Sequence, residues 1–163
     1  MPSELELRRL ALRVGRRLLA RRQRVVTAES CTGGWIAKAI TDIPGSSQWF
    51  DTGFVTYSNG SKTRELGVRP ATLLRYGAVS EEVVREMAGG ALVVTKAERA
   101  VAVTGIAGPD GGGPEKPVGT VWFCWAEHRG RKIHFRTRKV RFSGDRKAVR
   151  ASSVALALRG LLR

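Results

Sequence analysis

Apolar positions recur along the chain with two different periods, and the periods alternate. Over residues 4–21, Leu7, Leu10, Ala11, Val14 and Leu18 fall at helical spacing with arginines on the opposite face. Arg24 to Ala28 reads as a short strand, and residues 33–42 return to helical spacing through Ile36, Ala37 and Ile40 until Pro44-Gly45 ends the run. "SSQWF" (46–50) is too short to classify, although Ser46 or Ser47 can cap a helical turn; "DTGFVTYS" (51–58) alternates as a strand.

The second half continues the alternation. Ser61 is placed to cap a short helix to Leu66, Pro70 opens a helical turn ending at Gly77, and Ser80 caps a longer helix through Val83, Val84, Met87 and Leu92. Glu81 and Glu82 occupy its first turn, where the helix dipole favours negative charge, while Gly89-Gly90 weakens its middle by about 1 kcal/mol per glycine. "RAVAVTG" (99–105) has the apolar, β-branched character of a buried central strand. A Gly/Pro loop (105–119) follows, then "TVWFCWAEH" (120–128) and "KIHFRTRKVRF" (132–142) form a hairpin about Arg129-Gly130, and a last helix begins near Gly144. Strands alternating with helices and closing in a hairpin predict an α/β fold: a three-layer α/β/α sandwich on a mixed sheet of about five strands, in one domain spanning 1–163.

Charge changes the picture less than its size suggests. The formal net charge is +15, but residues 1–24 hold eight arginines and residues 129–150 hold ten Lys and Arg, whereas residues 25–128 carry nine basic against eleven acidic residues. The excess flanks the glycine-rich motifs and reads first as a solvated surface. Trp122, Phe123 and Trp125 stand in an apolar strand instead of among the charges, which argues for core over a base-stacking platform. A basic nucleic-acid or partner-binding module is therefore the alternative function. No apolar run approaches the roughly 18 residues of a membrane span, the Arg-rich start is unlike a signal peptide, and two cysteines make no disulfide framework; a cytoplasmic protein is expected.

Two segments stand where open α/β sheets bind ligands, beyond the carboxyl ends of strands. One is the turn "TAESCTGGW" (27–35), which runs into a helix start suited to a phosphate or carboxylate, with Gly33 and Gly34 permitting close approach. The same residues also suit a simple capping turn. The other is the 105–119 loop. A separate constellation of Ser46, Ser47, Tyr57 and Lys62 contains the elements of a serine nucleophile with a lysine base; spacing alone favours a solvated helix lysine at Lys62. Cys31 is either a nucleophile or a small buried residue, and Asp110 and Glu115 either hold a cation or keep the loop soluble. His128 and His134 lack acidic or sulfur partners, so no metal site is expected.

The blocks "TAESCTGGWIAKAITDIPGSSQWFDTGFVTYSN", "GAVSEEVVREMAGGAL", "VAVTGIAGPDGG", "KPVGTVWF" and "FSGDR" together resemble the CinA C-terminal domain family in its stand-alone form, from about residue 5 to the end. The resemblance implies hydrolysis of the carboxamide of nicotinamide mononucleotide (NMN) to nicotinic acid mononucleotide and ammonia, without metal or cofactor. It implies a Ser–Lys pair at Ser47 and Lys62 assisted by Tyr57. Substrate contacts are implied at Ser30, Thr32, Gly33, Gly34, Thr104, Gly105 and Arg146, with Ser30 as the competing nucleophile. Thr32-Gly33-Gly34 and Arg146 are the groups expected to hold the phosphate. It also suggests a homo-oligomer, dimer or larger, and no membrane partner. Pro114 departs from the polar residue expected in the glycine loop.

Overall fold

Local sequence signals set most of the element boundaries in the computed structural model, which describes residues 1–163. Helix α1 (Glu4–Ala20) opens with a reciprocal cap: the Ser3 N–H donates to the Glu6 carboxylate at 2.8 Å, and the Glu6 N–H to Ser3 Oγ at 3.2 Å. Strand β1 (Val25–Glu29), helix α2 (Trp35–Thr41), a 3-10 turn over Ser46–Gln48 and strand β2 (Phe50–Val55) follow. Helices α3 (Asn59–Leu66), α4 (Pro70–Tyr76) and α5 (Glu81–Val94) lead to β3 (Arg99–Gly105), the hairpin β4 (Thr120–Arg129) and β5 (Lys132–Arg141), and α6 (Arg146–Leu161).

Two boundaries differ from the expected ones by three residues. Strand β2 stops at Val55, three residues short of the alternating run. Thr56 keeps one ladder bond, its N–H donating to the Glu29 carbonyl at 2.9 Å, but the carbonyls of Thr56 and Tyr57 turn to Lys62. The cap of α3 is Ser58 instead of Ser61; the Ser61 N–H donates to Ser58 Oγ at 3.1 Å, so the helix begins earlier and Lys62 becomes its fourth residue instead of its first.

The sheet order is β2-β1-β3-β4-β5, with β2, β1 and β3 parallel and the hairpin antiparallel, giving the mixed five-stranded sheet. From β1 the chain crosses through α2 to β2 on one side, then through α3–α5 to β3 on the other. The carboxyl ends of β1 and β3 therefore flank the point where strand order reverses, and a crevice opens there. Side chains alternate between two cores. Val101 and Val103 of β3 face α1, α2 and α6, whereas Ala100 and Ala102 face α5, whose close approach the small side chains permit. Phe123 and Trp125 are buried and stacked, centroids 5.8 Å apart, so the aromatic strand is core. The arginines on α1 and the basic residues on edge strand β5 lie largely at the surface, where charge also discourages edge-to-edge pairing. No helix is long and apolar enough to cross a membrane.

Gly90 explains why α5 tolerates glycine in its middle. A Cβ there would stand 1.8 Å from the carbonyl oxygen of Leu66, where the end of α3 crosses α5. The backbone contact outweighs the propensity cost. Gly90→Ala is expected to destabilise the protein by about 1–3 kcal/mol through forced separation of the two helices, despite alanine's better helix propensity. A melting temperature lower by several degrees checks this; an unchanged or higher value contradicts it.

Candidate active site

A cavity of about 270 Å³ occupies the crevice at the carboxyl ends of the parallel strands. Ser30 enters it directly after β1, Lys62 from α3, Thr104 and Gly108 from the end of β3 and its loop, and Arg146 from the start of α6. The core of the site is one hydrogen bond: Lys62 Nζ stands 3.0 Å from Ser30 Oγ. Two carbonyl oxygens complete the surroundings of Nζ, those of Thr56 at 2.7 Å and Tyr57 at 3.3 Å. No salt bridge forms to it, and Lys62 is only 1% exposed. Burial without a carboxylate partner disfavours the ammonium form and lowers the Lys62 pKa to about 8. The solvated helix lysine that spacing alone allowed is thereby excluded.

The structure does not bring Ser47 to Lys62. Ser47 sits exposed in the 3-10 turn that precedes β2, and the Trp49 carbonyl accepts from the Val25 N–H at the opposite, amino end of β1. Register pairs Val25 with Phe50 and Glu29 with Val55, so the length of β2 separates Ser47 from the Lys62 end of the sheet. At 3.3 Å per residue that is roughly 16 Å or more. A parallel strand cannot place residues preceding and following it side by side. Ser47 and Lys62 therefore do not meet in this structure, and the serine that stands beside Lys62 is Ser30.

Tyr57 is also placed differently from its expected role. Its backbone carbonyl touches Lys62, but its hydroxyl accepts from Arg146 Nη2 at 2.9 Å. Arg146 Nη1 donates to the Gly108 carbonyl at 2.7 Å, so this guanidinium ties the β2–α3 turn to the glycine loop across the cavity. Thr104 lines the cavity while its hydroxyl donates to the Ala78 carbonyl at 2.9 Å. Gly105 also lines it, and its missing side chain admits the neighbouring strand: a Cβ would meet the Thr120 carbonyl oxygen at 2.8 Å. Asp110 lines the cavity, exposed, whereas Glu115 lies outside its lining.

The opening turn has a tenant that sequence reasoning missed. Gly33 and Gly34 both take positive φ, +60° and +88°, and lead the chain into α2. The N–H groups of that helix start are occupied from within: the Glu29 carboxylate accepts from Ile36 at 3.0 Å and Ala37 at 2.8 Å. Thr32-Gly33-Gly34 is consequently not an open anion cradle, and none of the three lines the cavity. Burial raises the Glu29 pKa, and the Ile36 N–H and other turn donors work against that rise. The available signal was a lone glutamate ending the buried strand "VVTAE". Arg150 was also missed: Nε donates to the Cys31 carbonyl at 3.2 Å and Nη2 to that of Thr32 at 2.9 Å, fixing the turn against α6.

Cys31 and Cys124 are buried, free, and pushed up to about 12 in pKa chiefly by burial, so neither is a thiolate near neutral pH. No group of three or more His, Cys, Asp or Glu side chains is placed to hold a metal ion. A thiol reagent such as 5,5′-dithiobis(2-nitrobenzoate) is expected to label neither cysteine rapidly in the native protein at pH 7.5 and both after denaturation. Rapid native labelling of Cys31 contradicts the burial.

Comparison with known proteins agrees with this architecture. The CinA C-terminal domain profile matches residues 7–163. The nicotinamide-nucleotide amidohydrolase PncC of Escherichia coli is 58% identical over 159 residues, covering 98% of this chain and 94% of that protein. The protein of the same name from Pseudomonas putida is 54% identical over 153 residues, covering 94% and 93%. The crystal structure of competence/damage inducible protein CihA from Agrobacterium tumefaciens superposes with a TM-score of 0.92 at 43% identity, covering 99% of this chain and 95% of that one. With its fold, its full-length sequence match and its strand-switch crevice in agreement, this chain belongs to the CinA C-terminal domain family.

Proposed function

We propose that the protein is an amidase that hydrolyses the carboxamide of NMN to nicotinic acid mononucleotide and ammonia, with Ser30 as nucleophile and Lys62 as base. The identity to nicotinamide-nucleotide amidohydrolases supports the substrate. The observation that supports the mechanism is the buried 3.0 Å contact of Lys62 Nζ with Ser30 Oγ. A neutral lysine has two N–H donors and one lone pair. The carbonyls of Thr56 and Tyr57 take the two donors, which leaves the lone pair for the Ser30 proton.

The steps follow from that arrangement. Lys62 takes the Ser30 proton as Oγ attacks the carboxamide carbon, and the carbonyl oxygen becomes an oxyanion. The backbone N–H groups of Cys31, Ala107 and Gly108 border the same cavity and donate to no backbone carbonyl, so they are among the available oxyanion donors. Protonated Lys62 then gives its proton to the departing nitrogen, and ammonia leaves an acyl ester on Ser30. Water attacks the ester while neutral Lys62 removes its proton, and that proton returns to Ser30 Oγ as the acid is released. Arg146 is the guanidinium beside the cavity and pairs with the substrate phosphate, with the α2 start already filled by Glu29. The cationic pyridinium ring adds a like charge that further favours neutral Lys62. The chemistry suits a cytoplasmic metabolic enzyme.

Ser30→Ala and Lys62→Ala are each expected to lower kcat for ammonia release from NMN by about 10³-fold or more, and Ser47→Ala to change it less than about twofold. A crippled Ser47→Ala protein beside an active Ser30→Ala protein overturns the assignment. Because Lys62 must be neutral in the free enzyme, kcat/KM is expected to rise with pH up to about 8 and then level. Stability carries the same sign: the unfolded chain binds the Lys62 proton more tightly between pH 8 and the ordinary lysine value of 10.5, so the Lys62 contribution improves as pH rises through that window. Lys62→Met should accordingly gain most in melting temperature near pH 7 and lose that advantage toward pH 10.5.

A further inference from the structure

The end of the sheet away from Ser30 carries a second cavity, of about 250 Å³, lined by Arg99, Arg129, Arg136 and Arg163 together with His134 and Glu127. Arg99 opens β3 and Gly105 closes it, so roughly 20 Å of strand separates this cavity from the crevice. Four arginine side chains thus line the cavity with a single acidic side chain, Glu127. Glu127 is already fully engaged: one oxygen accepts from Arg99 Nη2 at 2.6 Å and the other from Arg129 Nε at 2.6 Å. Neither Arg136 nor Arg163 has a carboxylate partner.

The arginines are held in place by groups that do not neutralise them. Arg99 Nη1 donates to the Leu161 carbonyl at 3.1 Å and Arg136 Nη2 to that of Gly160 at 2.7 Å, at the carboxyl end of α6. The partial negative charge of a helix end, about half a unit, offsets only part of the cationic excess. Arg136 lies 4.3 Å over the Trp125 ring, which fixes its plane and leaves Nε and Nη1 without a protein acceptor. Burial, then the neighbouring Arg163 and Arg99, lowers its pKa, the signature of a cation short of anions. On its other flank Arg136 borders an adjoining groove of about 380 Å³ that adds Arg138 and Arg159.

We propose that this arginine-lined cavity is a second ligand site, separate from the amidase centre, that binds the phosphate groups of a small polyphosphorylated molecule across Arg136. Planar guanidinium forks match phosphate oxygens bidentately, and several converging forks suit an anion with more than one charge. Trp125 is 6% exposed and covered by Arg136, so no aromatic face is free to stack a base. The recognition element is therefore the phosphate chain itself, whether free diphosphate or the diphosphate of a nucleotide.

The test is thermal unfolding and calorimetric titration of the full chain with sodium pyrophosphate and with ADP, against sodium chloride at matched ionic strength. A saturable rise in melting temperature beyond the chloride control is expected. Arg136→Gln should weaken pyrophosphate binding at least tenfold and leave NMN hydrolysis intact, which also shows that the variant folds. If that variant does not fold, Arg129→Gln at the exposed rim should weaken binding several-fold. Arg146→Gln in the amidase crevice and the triple change Arg8→Gln, Arg9→Gln, Arg13→Gln on α1 should leave pyrophosphate binding unchanged. Stronger binding of ADP than of pyrophosphate assigns the site to a nucleoside diphosphate and the reverse to free diphosphate; either supports it. No response beyond chloride overturns the proposal. So does a response that follows Arg146, which places the anion in the amidase crevice, or the α1 arginines, which makes it diffuse surface attraction.

Discussion

A lysine amine buried without a counter-ion is the constraint around which this fold is arranged. Lys62 is removed from water, met by two carbonyl oxygens and a serine hydroxyl, and given no carboxylate. Desolvating an ammonium is costly, and the protein meets that cost by making the neutral form accessible near pH 8. The early end of β2 and the start of α3 at Ser58 both serve this arrangement. They turn the Thr56 and Tyr57 carbonyls inward and set Lys62 at the fourth helical position, pointing back toward Ser30.

The opposite wall shows the complementary solution for an acid. Glu29 is as deeply buried as Lys62 yet does not pair with it; successive residues of a strand face opposite sides of the sheet, so Glu29 points to α2 and Ser30 to α3. The carboxylate spends its lone pairs on the N–H groups of Ile36 and Ala37, anchoring the helix that follows the Ser30 turn. Arg150 holds the same turn from α6 through the Cys31 and Thr32 carbonyls. Glu29 and Lys62 thus lie on opposite sides of one strand end, and the turn that carries Ser30 is held from both sides.

The basic flanks acquire different meanings once folded. Exposed arginines on α1 remain a solvated surface, whereas Arg99 and Arg136, distant in sequence from one another and from Arg163, converge at the α6 carboxyl end. The net charge of +15 is therefore two populations, one dispersed and one focused.

The sequence by itself determined the order and nature of the elements, because period 2 against period 3.6, the Ser3–Glu6 cap, Ser80 and the turn glycines are local signals. It also singled out both segments flanking the crevice, while Lys62 and Arg146 entered the candidate site through the family resemblance. It did not decide which serine faces Lys62. Ser30 and Ser47 are 32 and 15 residues away along the chain, and the family resemblance implied Ser47 as the partner. Only the parallel register of β1 and β2 carries the choice: Ser30 follows its strand, Ser47 precedes its own, and a parallel pair puts those positions at opposite ends of the sheet. The filling of the α2 start by Glu29 was hidden for a related reason. Whether a helix N-terminus is free for a ligand depends on which side chain occupies it, and that is settled by packing, not by the glycines that shape the turn.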